Sequence, residues 1–300
     1  MSCTSYLSYL SSNNWSSTCG GISIFICLTA SIENIVILVT FACSRSLHTE
    51  TNGLLASLAV SDLLVGVILA PLHALQLLSP EFLNDCVVDE TRRYLSTLLI
   101  GASAFTIGGI SYDRYLHMSK LMNYNKYMSK MKATLMISAC WMIPAVIPIF
   151  RYIFKSQRVY FIALIVAIVL ILGTLLACYV LIVMSLINRG KCARLNKKCE
   201  MRQMRTLKTV ALILTTFLFM ILPIFVHHIV FVGFPRTHIR TKVELYIVGQ
   251  TLAMLNSSAN PIIYYFRNPE FRANLNKLLR FKVRQKCTGD QAMEMKCLNQ

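Results

Sequence analysis

The chain has 300 residues, 55% of them hydrophobic and 14% charged, with a mean hydropathy of +0.56 and a formal net charge of +17. A soluble domain carries about a quarter charged residues, so this balance excludes an ordinary water-soluble fold and points to lipid as the solvent. The positive charge alone would suit nucleic acid, but the bases lie between long apolar runs and not on one soluble face, which excludes that class of partner.

Residues 1–20 are rich in Ser and Asn and lack a basic leader, so nothing there resembles a cleavable signal. The first apolar run is therefore expected both to target the chain and to stay in it. A spanning helix needs about 20 mostly apolar residues. Seven runs qualify, at 21–43, 52–78, 87–118, 132–150, 159–188, 204–234 and 243–266. Several exceed the bilayer thickness and should tilt or protrude. The third and seventh are laced with polar residues and look weak alone; they count because a bundle shelters polar groups that lipid cannot. Beyond the seventh, Leu and Phe alternate with Arg and Lys at helical spacing to about Phe281, which predicts a short amphipathic helix lying on the inner leaflet. The expected fold is an all-α, seven-transmembrane helix bundle at 21–266, preceded by a short extracellular tail at 1–20 and followed by the amphipathic helix and a cytoplasmic tail at 267–300.

Lys and Arg orient the bundle. With the N-terminus outside, 22 of the 30 basic residues face the cytoplasm, so the positive-inside rule places the N-terminus out and the C-terminus in. The sequon Asn14-Trp15-Ser16 then lies outside, where it can be glycosylated. Of the eleven cysteines, Cys3, Cys19 and Cys86 would face the oxidising side. They allow one disulfide, of which Cys19–Cys86 is one pairing, but sequence does not fix which. Cys140 and Cys178 suit small buried packing positions.

Charge inside a bilayer costs about 2.5–3.5 kcal/mol per residue on insertion scales, so each case needs a reason. Asp62 lies mid-span. Either it is a carboxyl group tolerated by burial, or it belongs to a cation or hydration site with Asn34, Ser103, Asn256, Ser257 and Asn260 from other spans. Such oxygen donors suit a hard cation such as Na⁺; no other cofactor is called for. The third span ends in Ser111-Tyr112-Asp113-Arg114-Tyr115, which in isolation is compatible with ordinary interfacial snorkelling. The seventh ends in Asn260-Pro261-Ile262-Ile263-Tyr264, where the proline frees a backbone carbonyl and kinks the helix.

Taken together, these residues resemble the signature of the class A, rhodopsin-like G-protein-coupled receptors, over about residues 21–281. Asn34, Asp62, Asp113-Arg114-Tyr115, Trp141, Phe217 with Pro223, Asn260-Pro261-x-x-Tyr264 and Phe271 match the family's motifs in order and spacing. Glu33 stands where glycine is usual. The resemblance implies a plasma-membrane receptor that performs no covalent chemistry. An extracellular ligand favours a state in which the inner end of the sixth helix swings outward near Pro223. Arg114 then leaves Asp113 for a heterotrimeric G protein, and Tyr179 and Tyr264 turn inward. Met122 takes the position that inserts into the G protein. Ligand and G protein prefer the same state, a two-state coupling.

Departures narrow the branch. The usual third-span Cys is Asp89, the fifth span has Ile171 in place of its proline, and Leu121 replaces the proline after Asp113-Arg114-Tyr115. With the very short second outer loop, these features resemble the melanocortin branch and its adenosine- and lipid-receptor relatives, as do Met122-Asn123-Tyr124 and His227. The amine-receptor Asp is Ser96 here, and the opsin Schiff-base Lys is Met254. Asp89, Arg92, Arg93, Ser96, His227 and His228 form the implied ligand-binding set. The ligand is unidentified, with anionic, peptide and lipid classes open. Eight bases against five acids ring the outer rim, a balance that favours an anionic ligand held by Arg93; the plain alternative is that these charges pair with one another and with headgroups.

Two competing functions stand beside the receptor. A transporter or channel would explain seven spans and a buried Asp62, but shows neither inverted repeats nor broken helix pairs here. A constitutively active or ligand-independent receptor is compatible with Ile221 at the place of the sixth-span Trp and with Gln203 where an acid usually restrains Arg114.

Overall fold

The computed structural model describes residues 14–79, 86–119, 124–190, 197–234, 237–267 and 271–278. Seven long helices build it, with no strand among the described residues. Helix α1 spans Asn14–Cys43. Helix α2 runs as Glu50–Leu64, Val65–Leu69 and Ala70–Leu78. Then follow α3 (Cys86–Ser119), α4 (Lys130–Val146), α5 (Gln157–Gly190), α6 (Lys197–Gly233) and α7 (Ile239–Arg267), with α8 at residues 271–278. The end where α1 begins is the N-side of the bundle, and the end carrying α8 is the C-side.

Six of these helices are long and apolar enough to cross a membrane by composition. The one that is not, α7, packs between α6 and α1 and closes the ring. Its polar residues Gln250, Thr251, Asn256, Ser257 and Asn260 are all buried, so its polarity faces the bundle and not lipid. The arrangement is inside-out relative to a soluble core. Phe25, Leu28 and Ile32 on α1 and Val166, Leu170 and Leu176 on α5 are more than half or nearly half exposed, while Asn34, Asp62 and Asp113 are sealed inside.

The start of α1 departs from expectation: the helix begins at Asn14, not at residue 21. The polar run Trp15-Ser16-Ser17-Thr18 is helical because its inward face has partners. Ser16 donates a hydrogen bond to the Leu77 carbonyl (2.9 Å), and Cys19 packs on Leu77, Val243 and Ile247. The same packing corrects the cysteine expectation: Cys19 is free and buried, Cys86 is free and exposed, and no Cys19–Cys86 bond forms. Cys140 and Cys178 are buried, as expected.

Two local features fix how the helices approach. Pro71 has no N–H and crowds the preceding turn, and directly before it α2 opens into one π turn, with the Ala70 N–H reaching the Val65 carbonyl. Within that turn lies Gly66, where a Cβ would stand 2.8 Å from Ser31 Oγ and 2.9 Å from the Ser31 nitrogen, so glycine sets the α1–α2 spacing. On the C-side, Phe271 and Leu275 are buried one turn apart on α8, the Phe271 ring 5.7 Å from that of Phe41, as the amphipathic pattern requires. Between α4 and α5 the chain makes a short helix, Ile149–Phe154, and reverses at Lys155 in the left-handed region (φ 47°). Residues 147–156 therefore make the whole connection, in keeping with the very short loop expected from sequence.

Candidate functional site

Three polar layers sit along the interior. On the N-side, Asp89 accepts from Arg92 Nη2 (2.6 Å), Arg93 Nε (2.7 Å) and Gln76 Nε2 (3.1 Å). One helical turn separates the acid from both bases, so a single carboxylate receives two guanidiniums from its own helix. Arg92 Nη1 also donates to the Tyr246 hydroxyl (2.7 Å), and both guanidinium carbons lie over that ring at 5.2 and 5.4 Å. The network joins α2, α3 and α7 at the place where the resemblance leads one to expect a cysteine. Nearby rim charges pair with each other, Arg151 with Glu90 and Arg240 with Glu244 at 3.0 Å. For these bases the plain alternative holds.

Beneath the network lies a mostly apolar cavity walled by α3 to α7. Of the residues expected to bind ligand, Arg93, Ser96 and His228 line it; Asp89, Arg92 and His227 do not. Neighbouring positions on a helix point about 100° apart, so Arg93 faces the cavity while Arg92, 1% exposed, turns to Tyr246. His227 turns to α7, its Nδ1 3.0 Å from the Lys242 carbonyl. Tyr160, Tyr246 and Gln250 also line the cavity and were not singled out from sequence. Tyr160 sits in an otherwise apolar run, where its 2.6 Å contact with Thr97 leaves no pattern to detect.

The middle layer is the Asp62 cluster. Asp62 Oδ1 accepts from Ser257 (2.8 Å) and Oδ2 from Asn260 (2.7 Å). Pro261 has no N–H for the Ser257 carbonyl four residues earlier, and that carbonyl instead receives Asn34 Nδ2 from α1 (3.2 Å). A proline thus creates an acceptor, and the family-matching asparagine fills it. Ser103 is buried nearby with its Oγ unpartnered, and it lines a much smaller cavity with Asn256 and Ser257. One carboxylate, hydroxyls and amide oxygens are the donors a hard monovalent cation takes, so the residues fit Na⁺.

On the C-side, Asp113 and Arg114 are adjacent in sequence but not paired in space. Asp113 Oδ1 accepts the Tyr124 hydroxyl at 2.6 Å, and Arg114, half-buried, has no hydrogen bond or ion pair among the described residues. This corrects the expected Asp113–Arg114 contact, because a neutral phenol from the short helix Tyr124–Tyr127 holds the acid instead. Tyr115 packs beside it with Tyr124, Leu116 and Met128. Phe217 is 3% exposed in the central core with Ile171 and Ile221. Pro223 lies inside the continuous α6, where Gly249 of α7 packs against it: a Cβ there would lie 2.6 Å from the Ile224 nitrogen and 2.7 Å from its Cα. Tyr179 is part-buried on α5. Met122 and the side chains of Asn14, Gln203 and Tyr264 lie outside the described residues.

A ring of seven membrane helices, polar inside and apolar outside, with a cavity under one end and an arginine at the other, is the architecture of a membrane receptor. The chain matches the family model for the 7 transmembrane receptor (rhodopsin family) over residues 33–160 and 150–264, and it belongs to that family. It is 25% identical over 269 residues to melanocortin receptor 4 of Danio rerio, covering 84% of this chain and 80% of that protein. It is 24% identical over 315 residues to trace amine-associated receptor 1 of Homo sapiens and of Macaca mulatta, covering 91% of this chain and 92% of each. The chain is a G-protein-coupled receptor and a multi-pass membrane protein, and the melanocortin likeness agrees with the branch its departures indicate.

Proposed function

We propose that the receptor sits in the plasma membrane with its N-side outside the cell, binds a ligand in the cavity beneath Arg93, and drives nucleotide exchange on a heterotrimeric G protein at its C-side. The observation that carries the coupling half is Arg114. It stands at the C-side end of α3 with its neighbouring acid occupied by Tyr124, so the guanidinium is available to a partner. Pro223, Phe217, Asn260, Pro261, Tyr179 and Tyr264 form the moving path between the two ends, and Met122 contacts the G protein. Na⁺ bound by Asp62, Ser103, Asn256, Ser257 and Asn260 favours the inactive state; there it would balance the carboxylate that Ser257 and Asn260 already hold. Asn14 carries the glycan, added before Ser16 docks against Leu77. The trace-amine relatives' ligand class does not transfer directly, because Ser96, at the position of the amine-receptor acid, accepts a hydrogen bond from Gln250 (2.7 Å).

The test is receptor reconstituted in nanodiscs with purified heterotrimer, scored for GDP release. Arg114→Ala should fold, reach the cell surface and lose at least about tenfold of the exchange rate, since charge-assisted contacts contribute roughly 1.5–3 kcal/mol. Undiminished exchange at matched expression would refute the assignment of Arg114. A second form of this function, signalling without ligand, is favoured by the same observation, because an arginine not clamped by Asp113 needs less help to reach the partner.

A further inference from the structure

We propose that Glu33 joins two copies of this receptor in the membrane, α1 against α1, its carboxyl group bonded to that of the second copy. The acid stands where the family resemblance leads one to expect glycine. Phe41, packed on Phe271 of the amphipathic helix α8, marks the C-side boundary of the bilayer. Glu33 lies eight residues deeper, about 12 Å at 1.5 Å per residue, too far for a glutamate to reach the interface. Helix rotation sets its direction. Asn34 is sealed inside, Ile32 is 62% exposed, and Glu33 stands part-buried between them, at the edge of the outward face that carries Phe25, Ile32 and Val36. One turn earlier Thr29 meets Ser258 of α7 at 2.9 Å, so the acid borders the α1–α7 seam.

Asp62, the other acid deep in the membrane, is wholly buried and accepts from Ser257 and Asn260. Glu33 has no such support: its Oε2 is buried without a hydrogen-bond partner, and no ion pair reaches it among the described residues. A carboxyl group left so in hydrocarbon is costly, and a lipid chain offers it neither donor nor acceptor. The uncharged acid is both donor and acceptor, so two of them satisfy each other, each O–H donating to the other's carbonyl oxygen. A second copy is the partner certain to present that group. Chains inserted in one orientation pair about an axis along the membrane normal, which sets each residue opposite itself at the same depth. The neighbouring surface permits the approach: Phe25, Ile32 and Val36 of α1 and Ile262 of α7, one turn beyond Ser258, are apolar and exposed. The Glu33 side chain is part-exposed and has three rotatable bonds, so its carboxyl can turn from the seam to that neighbour.

The experiment measures energy transfer between donor- and acceptor-labelled copies of the full-length receptor in phosphatidylcholine vesicles, across a range of protein-to-lipid ratios. The unmodified receptor should pair as protein is concentrated in the lipid. Glu33→Leu, compatible with lipid but unable to hydrogen-bond, should weaken pairing about tenfold, the yield of two interhelical hydrogen bonds in a membrane. Glu33→Gly serves the same purpose if the leucine variant does not fold, and melting in detergent tells whether each variant folds. Glu33→Gln, whose amide both donates and accepts, should pair within about threefold of the unmodified receptor. Glu33→Lys should fail to pair with itself yet pair with the unmodified receptor, because the acid then meets a base. That rescue separates a contact between copies from a role inside one chain. A receptor that stays monomeric at every ratio overturns the proposal and leaves Glu33 to a different membrane helix. Undiminished pairing in the leucine and glycine variants, or no pairing between Glu33→Lys and the unmodified receptor, overturns it as well.

Discussion

Two carboxylates inside the same bundle are handled in opposite ways. Asp89 is met by two guanidiniums and an amide, and its network ties three helices together on the N-side. Asp62 is met only by neutral groups, a hydroxyl and an amide from α7, beside a small cavity and an unpartnered serine. Charge-to-charge contacts in low dielectric are strong and hard to exchange, whereas neutral hydrogen bonds trade readily for water or a cation. The comparison favours our proposal that the Asp89 layer holds the helices and the Asp62 layer changes state. It also accounts for the missing third-span cysteine: an ion-pair network at that position performs the tethering that a covalent bond would otherwise supply.

The largest expected effect is at the holding layer. Asp89→Ala leaves two guanidiniums buried against each other and should destabilise the receptor by about 3–5 kcal/mol, read as a lower melting temperature and poor surface expression. Wild-type melting of that variant would remove the tether from the account. Between the layers, Gly249→Ala should cost about 1–3 kcal/mol, because its methyl group has no room against the Ile224 backbone and must push α6 from α7. Since that seam borders Pro223, exchange kinetics should change with stability; a neutral substitution would show that the seam gives way freely. The smallest effect falls on the C-side, where Tyr124→Phe should cost about 1 kcal/mol of stability. It releases Asp113 to pair with Arg114, so ligand-free GDP release should fall; an increase would mean that Tyr124 restrains the receptor instead.

Much of the fold was legible in the residues. Runs of apolar side chains long enough to cross a bilayer mark six of the helices, and the Asn260-Pro261 motif marks α7 despite its polarity. The missed start of α1 shows the limit: Trp15-Ser16-Ser17-Thr18 looks like a tail until Leu77 and Val243 supply its inward face. Asp62, Ser257, Asn260 and Asn34 meet through hydrogen bonds, because polar residues within a membrane have few places to go but toward one another. The ligand side was harder. Arg92 and Arg93 are identical in type and adjacent, and only the helix rotation decides that one lines the cavity and the other braces α7. Tyr124 was noticed as a mark of the branch, but sequence does not specify that its hydroxyl reaches Asp113, eleven positions earlier.

The distinction between the two layers is tested most directly by melting the purified receptor in NaCl and in an equal concentration of choline chloride. In the unmodified chain Na⁺ should raise the melting temperature. Asp62→Asn should abolish that difference while leaving the choline value within about 1–2 kcal/mol of stability, since a neutral amide replaces a group whose partners are already neutral. Asp89→Asn should melt lower in both salts and keep the Na⁺ response. A Na⁺ response that survives Asp62→Asn, or one that disappears in Asp89→Asn, would contradict the assignment of holding to one layer and switching to the other.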